Sequence, residues 1–144
     1  MTLVHATCVA WDDHGILLQG PSGAGKSDLA LRLIDSGARL IADDQVSLRR
    51  DGDTLVATAP ASLEGWLEVR GIGICAVPCA AAARIVATFD LVPPDRIDRL
   101  PVPRRWPVLG LDIPCFSLAP FEVSAVVKVR LAVSVATGNS GLRQ

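Results

Sequence analysis

The sequence is short of several things, and each shortage removes a class of function. Net charge is −1 over 144 residues, so no overall field draws the chain to nucleic acid or anionic lipid. Aromatic residues make up 4% of the chain. None lies between the arginines at 96, 99, 104 and 105, where base stacking on a single strand would need them. No apolar run reaches the ~20 residues that cross a bilayer. The nearest candidate, Val123–Val135, is broken by Lys128 and Arg130. No basic stretch followed by an apolar one opens the chain, so no signal peptide is expected and the expected location is the cytoplasm. The four cysteines are Cys8, Cys75, Cys79 and Cys115. Cys75 and Cys79 are not at the usual zinc spacing and have no histidine beside them. In a cytoplasmic protein all four are expected as buried or half-buried thiols.

What is present suits one domain with a real core: 50% of residues are hydrophobic and 20% charged. Val4–Ala10 and Ile16–Gln19 are β-type runs separated by the turn cluster Trp11–Gly15, and predict a hairpin. His14 falls in that turn and is expected to face solvent. A helix opens at Lys26, with Leu29, Ala30, Leu33 and Ile34 on its apolar side, and Gly37 is its left-handed stop. Leu40–Ala42 predicts a strand ending in Asp43-Asp44. Val46–Arg50 and Thr54–Thr58 flank the turn Asp51-Gly52-Asp53. Leu67–Val69 and Ile72–Ile74 lie around Arg70-Gly71. Arg84–Leu91 and Ile113–Leu118 predict further strands. Pro93–Pro107, with its five prolines, predicts an exposed loop. Val123–Ala136 is ambiguous: its valines favour a strand, its length a buried helix. The domain is expected to span residues 1–137, with 138–144 a frayed tail.

The densest signal is Gly20-Pro21-Ser22-Gly23-Ala24-Gly25-Lys26-Ser27. It satisfies G-x-x-x-x-G-K-[ST] at every fixed position. Glycines let backbone amides turn inward into an anion-binding nest, and the helix that follows adds the positive end of its dipole. Lys26 supplies a cation for the β- and γ-phosphates, and the Ser27 hydroxyl is a hard oxygen donor for magnesium. Glycine-rich turns also arise by chance, but a strand before and an amphipathic helix after are the context the motif needs. ATP with Mg2+ is the expected ligand.

Three more segments narrow the expectation: His5 in the first strand, Leu40-Ile41-Ala42-Asp43-Asp44, and Leu67-Glu68-Val69-Arg70-Gly71-Ile72-Gly73-Ile74. With the Gly20–Ser27 loop they resemble the catalytic domain of HPr kinase/phosphorylase. The resemblance is strongest from His5 to Ile74 and weaker to Ala136. It implies an α/β fold, a mixed sheet with flanking helices around the phosphate loop, similar also to phosphoenolpyruvate carboxykinase. It implies an ATP- and magnesium-dependent serine protein kinase acting on the HPr phosphocarrier of the sugar phosphotransferase system. By the same resemblance Lys26 and Ser27 hold phosphate and metal, Asp44 accepts the serine proton, Glu68 helps hold the metal, and His5 belongs to the active site. Asp43 matches a second acidic position. A catalytic arginine is implied within an Asp-Arg pair, with Asp98-Arg99 first and Asp95-Arg96 second. The family's N-terminal regulatory domain and most of its C-terminal helical extension have no counterpart here. A short single-domain form is therefore expected, with a homo-oligomer in view and kinase activity stronger than the reverse phosphorylase activity.

Each residue also has a plainer role. Asp43 and Asp44 could cap a turn, and they point to opposite faces if the strand continues through them. Glu68 and Arg70, two apart on one face, could be a surface ion pair. His5 could be a packed strand histidine, or a cation or proton relay near phosphate. The arginine loop could stabilise transferring charge, bind an acidic partner, or be solvated. Two rival functions stand beside the kinase: a small-metabolite hydroxyl kinase of the same fold, and a non-catalytic nucleotide-binding module.

Overall fold

A computed structural model describes residues 1–143. Eleven strands and two α-helices are formed among them. In chain order the first elements are β1 (Thr2–His5), β2 (Thr7–Trp11), β3 (His14–Gln19), α1 (Lys26–Asp35), β4 (Arg39–Ala42), β5 (Gln45–Asp51) and β6 (Thr54–Thr58). They are followed by β7 (Trp66–Val69), β8 (Gly73–Ala76), β9 (Ala82–Leu91), β10 (Arg104–Val108), β11 (Leu111–Leu118) and α2 (Ala125–Ala136).

The sheet is built around β9, the longest strand. It runs parallel to β3 on one side, with Gln19 opposite Asp90. Its other edge is shared. Ala82–Arg84 pair antiparallel with β6, and Thr88–Leu91 pair parallel with β11. The remaining pairings are antiparallel and extend the order β1-β5-β6-β9-β3-β2-β4, with β10 on the far side of β11. Strands β3, β9 and β11 therefore end along one edge, and crevices at the carboxyl ends of parallel strands are where α/β sheets bind ligands.

Alternation along the strands loads both faces. Ile16, Leu18, Phe89 and Leu91 pack under the helices with Leu29, Leu33, Val129 and Val133. Leu17, Ile41, Leu48, Leu55 and Ile85 fill the other face, inside the curl of the sheet. Phe89 is 1% exposed and its ring centroid lies 5.5 Å from that of Phe116. Truncating such a ring to alanine typically costs about 3–5 kcal/mol. The base of the phosphate loop thus stands on a strand with little freedom to shift.

Several expectations from sequence are revised. The first strand is broken at Ala6, whose N–H donates to the Asp44 carbonyl at 3.2 Å, so that β1 can pair with β5 while β2 pairs with β3 and β4. His14 belongs to β3 and is half-buried, not a solvent-facing turn residue. The proline-rich stretch is a loop only as far as Pro103. Arg104–Val108 form β10 because the β11 edge is open to them and proline is tolerated in an edge strand. Val123–Ala136 resolves as helix: Ala125, Val129 and Val133 are buried at helical spacing against the sheet, and that packing outweighs the low helix propensity of valine. Gly37 is left-handed at φ +112°, as the stop requires. Cys8 and Cys115 are buried, and Cys75 and Cys79 half-buried. Burial raises both buried thiols, Cys115 to about 11 with help from the Asp90 carboxylate beside it. Among the described residues no helix is long and apolar enough to cross a membrane. Gln144, the last residue of the expected tail, lies outside the described residues.

Candidate active site

The phosphate loop leaves the end of β3 and closes into α1. Gly23 and Gly25 have φ of +84° and +101°, backbone that favours glycine. A Cβ on Gly20 would meet the Ala24 Cβ at 3.0 Å, so this turn is tight as well. Gly25 accepts the first helical hydrogen bond, from the Leu29 N–H at 2.9 Å. The amides of the first helical turn are left facing outward, as an anion site needs. Lys26 is not the solvent-side cation the motif suggests. It is 8% exposed, and its Nζ folds back to donate to the carbonyls of Gly20, at 2.5 Å, and Pro21, at 3.1 Å. The lysine therefore braces the loop from within while keeping its charge at the nest.

The adjacent aspartates do different things. Strand β4 stops at Ala42, so the strand does not continue through Asp43 and Asp44. Asp43 turns toward the loop. Its Oδ1 accepts from Ser27 Oγ and from Thr7 Oγ1, each at 2.9 Å, and its Oδ2 accepts from the Glu68 N–H at 3.3 Å. Asp44 has φ +69°, a left-handed conformation in which aspartate is one of the few tolerated side chains. That twist sends its carboxylate the other way, to His5 Nδ1 at 3.2 Å. Both partners stay open to solvent, 55% exposed for His5 and 68% for Asp44.

Glu68 comes from β7, which pairs with β8 as a separate two-stranded sheet. Such a ribbon is marginal alone. Leu67 and Val69 anchor it by packing into the helix-side core, which turns the alternate residue Glu68 outward. Glu68 and Arg70 line one wall of a cleft of about 940 Å³. Ser22, Gly23, Gly25, Lys26 and Ser27 form the opposite wall, and Asp43 and Asp44 also line it.

The structure thus joins Lys26, Ser27, Asp44 and Glu68 around one cleft, and His5 stands beside it on Asp44 without lining it. Arg99 does not join them. It is exposed, in the loop after β9, and neither it nor Arg96 lines the cleft. Arg104 is tied elsewhere, to Asp90 at 3.3 Å and Ser117 at 3.0 Å. Two residues tie the site together, of which Thr7 was not expected and Asp43 was expected only as a second acidic position. Thr7 left only a weak trace, a hydroxyl in an otherwise apolar strand. Asp43 was visible, but its role required knowing that the chain bends after Ala42. Among the described residues no three acidic, histidine or cysteine side chains form a complete metal cage. A hydroxyl and one or two carboxylates are what magnesium takes when phosphate oxygens and water supply the rest. The donors at Ser27 and Asp43, with Glu68 on the facing wall, fit that ion.

Comparison with known proteins follows the same outline. The family model for the HPr Serine kinase C-terminal domain matches residues 1–89. The chain belongs to this family. An HPr kinase/phosphorylase of Bacillus pumilus is 45% identical over 92 residues, covering 63% of this chain and 30% of that protein. One from Geobacillus thermodenitrificans is 38% identical over 125 residues, covering 78% of this chain and 40% of the other. The chain therefore spans less than half the length of these HPr kinase relatives. A solved structure, the Hpr(Ser) kinase/phosphatase of Coxiella burnetii, superposes with a TM-score of 0.85 at 26% identity. It covers 98% of this chain and 100% of its own. The HPr kinase fold, a curled mixed sheet with helices, thus extends through β10, β11 and α2, beyond the residues the family model matches.

Proposed function

We propose that the chain is an ATP- and magnesium-dependent protein kinase that phosphorylates a serine of an HPr-type phosphocarrier in the cytoplasm. The observation that carries this is the division between Asp43 and Asp44 at the mouth of the phosphate loop. Asp43 shares a hydrogen bond with the metal-binding hydroxyl of Ser27. Asp44 is held by His5 and left exposed, where a serine on another protein can reach it. The names of the relatives supply the substrate, HPr.

In this mechanism the loop amides and Lys26 hold the polyphosphate, and Asp44 takes the proton of the serine hydroxyl. The serine oxygen attacks the γ-phosphorus, the bond to the β–γ bridging oxygen breaks, and ADP leaves. Little covalent work falls to the protein, and its share is alignment and charge. His5 fixes the orientation of the Asp44 carboxylate. Ser27, Asp43 and Glu68 are the residues that would hold magnesium, which neutralises charge on the phosphates when bound. Arg99 remains our candidate for the charge-stabilising arginine. Its loop leaves β9 beside the phosphate loop, since β3 and β9 are parallel neighbours. The reverse reaction, attack of inorganic phosphate on phosphoserine, would use the same groups by microscopic reversibility, and the chain would act as a homo-oligomer.

Incubating the protein with labelled ATP, magnesium and HPr, then mapping the modified residue, tests this. Label on an HPr serine is expected. Label appearing on a small hydroxyl compound instead, or nucleotide binding without any transfer, would overturn it.

A further inference from the structure

Beyond the last glycine of the loop stands an aromatic ring that none of the phosphate chemistry uses. Phe121 follows β11 and lines the cleft, yet is 70% exposed. An exposed phenylalanine alone needs no explanation, but the placement of this one does. A Cβ on Gly25 would lie 2.8 Å from its Cζ and 3.2 and 3.3 Å from its Cε1 and Cε2. The tip of the ring therefore rests on Gly25, and most of its surface is left open. Glycine is required at residue 25 twice over, for its backbone and for this contact.

The turn that carries the ring is fixed to the same helix that holds the phosphates. Arg32 on α1 donates to the Pro120 carbonyl, and Asp28 holds Arg32 at 3.0 Å. Successive helical residues point about 100° apart. Helix α1 accordingly shows Ser27 to Asp43 and shows the Asp28–Arg32 row to the Phe121 turn. A polyphosphate across the N-terminus of α1 has two ends. With one end toward the acids, where transfer would occur, its other end would lie toward Phe121.

We infer that Phe121 is the platform on which the nucleotide base stacks. This rests on the ATP-binding role proposed above and specifies its other end. Every base has a π-face, so a bare aromatic platform recognises a purine ring with little discrimination between adenine and guanine. ATP and GTP should bind with similar affinity.

The test compares ATP with tripolyphosphate, which carries no base, on wild type, Phe121→Ala and Phe121→Trp. Loss of the ring should weaken ATP binding about tenfold or more, leave tripolyphosphate binding unchanged, and leave the circular dichroism spectrum intact. Phe121→Trp should restore ATP affinity, and ATP but not tripolyphosphate should quench the new tryptophan, measured against wild type. ATP affinity within twofold of wild type in Phe121→Ala would overturn the inference. So would an equal loss for both ligands, which would make Phe121 a support for the loop only. Wild-type protein that binds neither ligand would overturn the phosphate-loop assignment itself, and this inference with it.

Discussion

Asp43 and Asp44 are neighbours in sequence and opposites in environment. Asp43 accepts three hydrogen bonds, from Ser27, Thr7 and the Glu68 backbone, and ties three separate segments to the phosphate loop. Asp44 has one partner, His5, and a backbone twisted to φ +69° to reach it. Three donors fix the Asp43 carboxylate in place beside the Ser27 hydroxyl. The Asp44 carboxylate keeps free lone pairs at the surface, where a hydroxyl on another protein can reach it. On the mechanism proposed above, the bend after Ala42 would let one dipeptide serve two needs of phosphoryl transfer, an anchor for the metal and an acceptor for the proton.

Four substitutions sharpen or break that contrast, beginning with the largest effect. Lys26→Ala should remove nucleotide binding to below detection, because neither acid acts without bound phosphate. It should also loosen the loop, since Lys26 braces the carbonyls of Gly20 and Pro21. Calorimetric titration with ATP and circular dichroism check both. Asp44→Asn should slow transfer by ~10²–10⁴-fold, the usual share of a general base. Asparagine tolerates the left-handed backbone, so the fold and nucleotide affinity should hold. Asp43→Asn should weaken nucleotide binding in magnesium by about 10–100-fold, as loss of a metal-supporting carboxylate does, with a smaller change when magnesium is chelated. His5→Ala should slow transfer less than Asp44→Asn does and leave magnesium-dependent binding alone, because it only positions the acceptor. A steady-state comparison of the two variants decides it.

Much of the framework was legible in the sequence. The phosphate loop is a short-range motif, and the backbone that it needs is encoded in its own glycines. The short apolar run Ile16–Leu18 and the burial spacing of Leu29, Ala30 and Leu33 are local signals, so β3 and α1 could be read directly. The turn chemistry of Asp51-Gly52-Asp53 placed β5 and β6. What could not be read depends on distant partners. β10 forms because β11 offers it an edge. α2 is a helix because its buried valines meet Phe89 and Leu118, not because valine prefers helices. At the cleft, Lys26, Ser27, Asp44 and Glu68 lie in segments that the sequence singled out, and their roles there belong to the proposal. The grip of Thr7 on Asp43 spans 36 residues, and its one local sign is a hydroxyl in an otherwise apolar strand. Arg99 illustrates the reverse limit. An Asp-Arg pair is easy to find in sequence, but its loop carries the side chain outside the cleft in this structure.

The most direct test of the division of labour measures nucleotide affinity in magnesium and single-turnover transfer to HPr side by side, on Asp43→Asn and Asp44→Asn. Asp44→Asn should bind ATP as wild type does and transfer at least a hundredfold more slowly, while Asp43→Asn should lose affinity first. Transfer by Asp44→Asn within threefold of wild type, or a larger loss of transfer at saturating ATP in Asp43→Asn, would contradict the account and move the proton acceptor to Asp43.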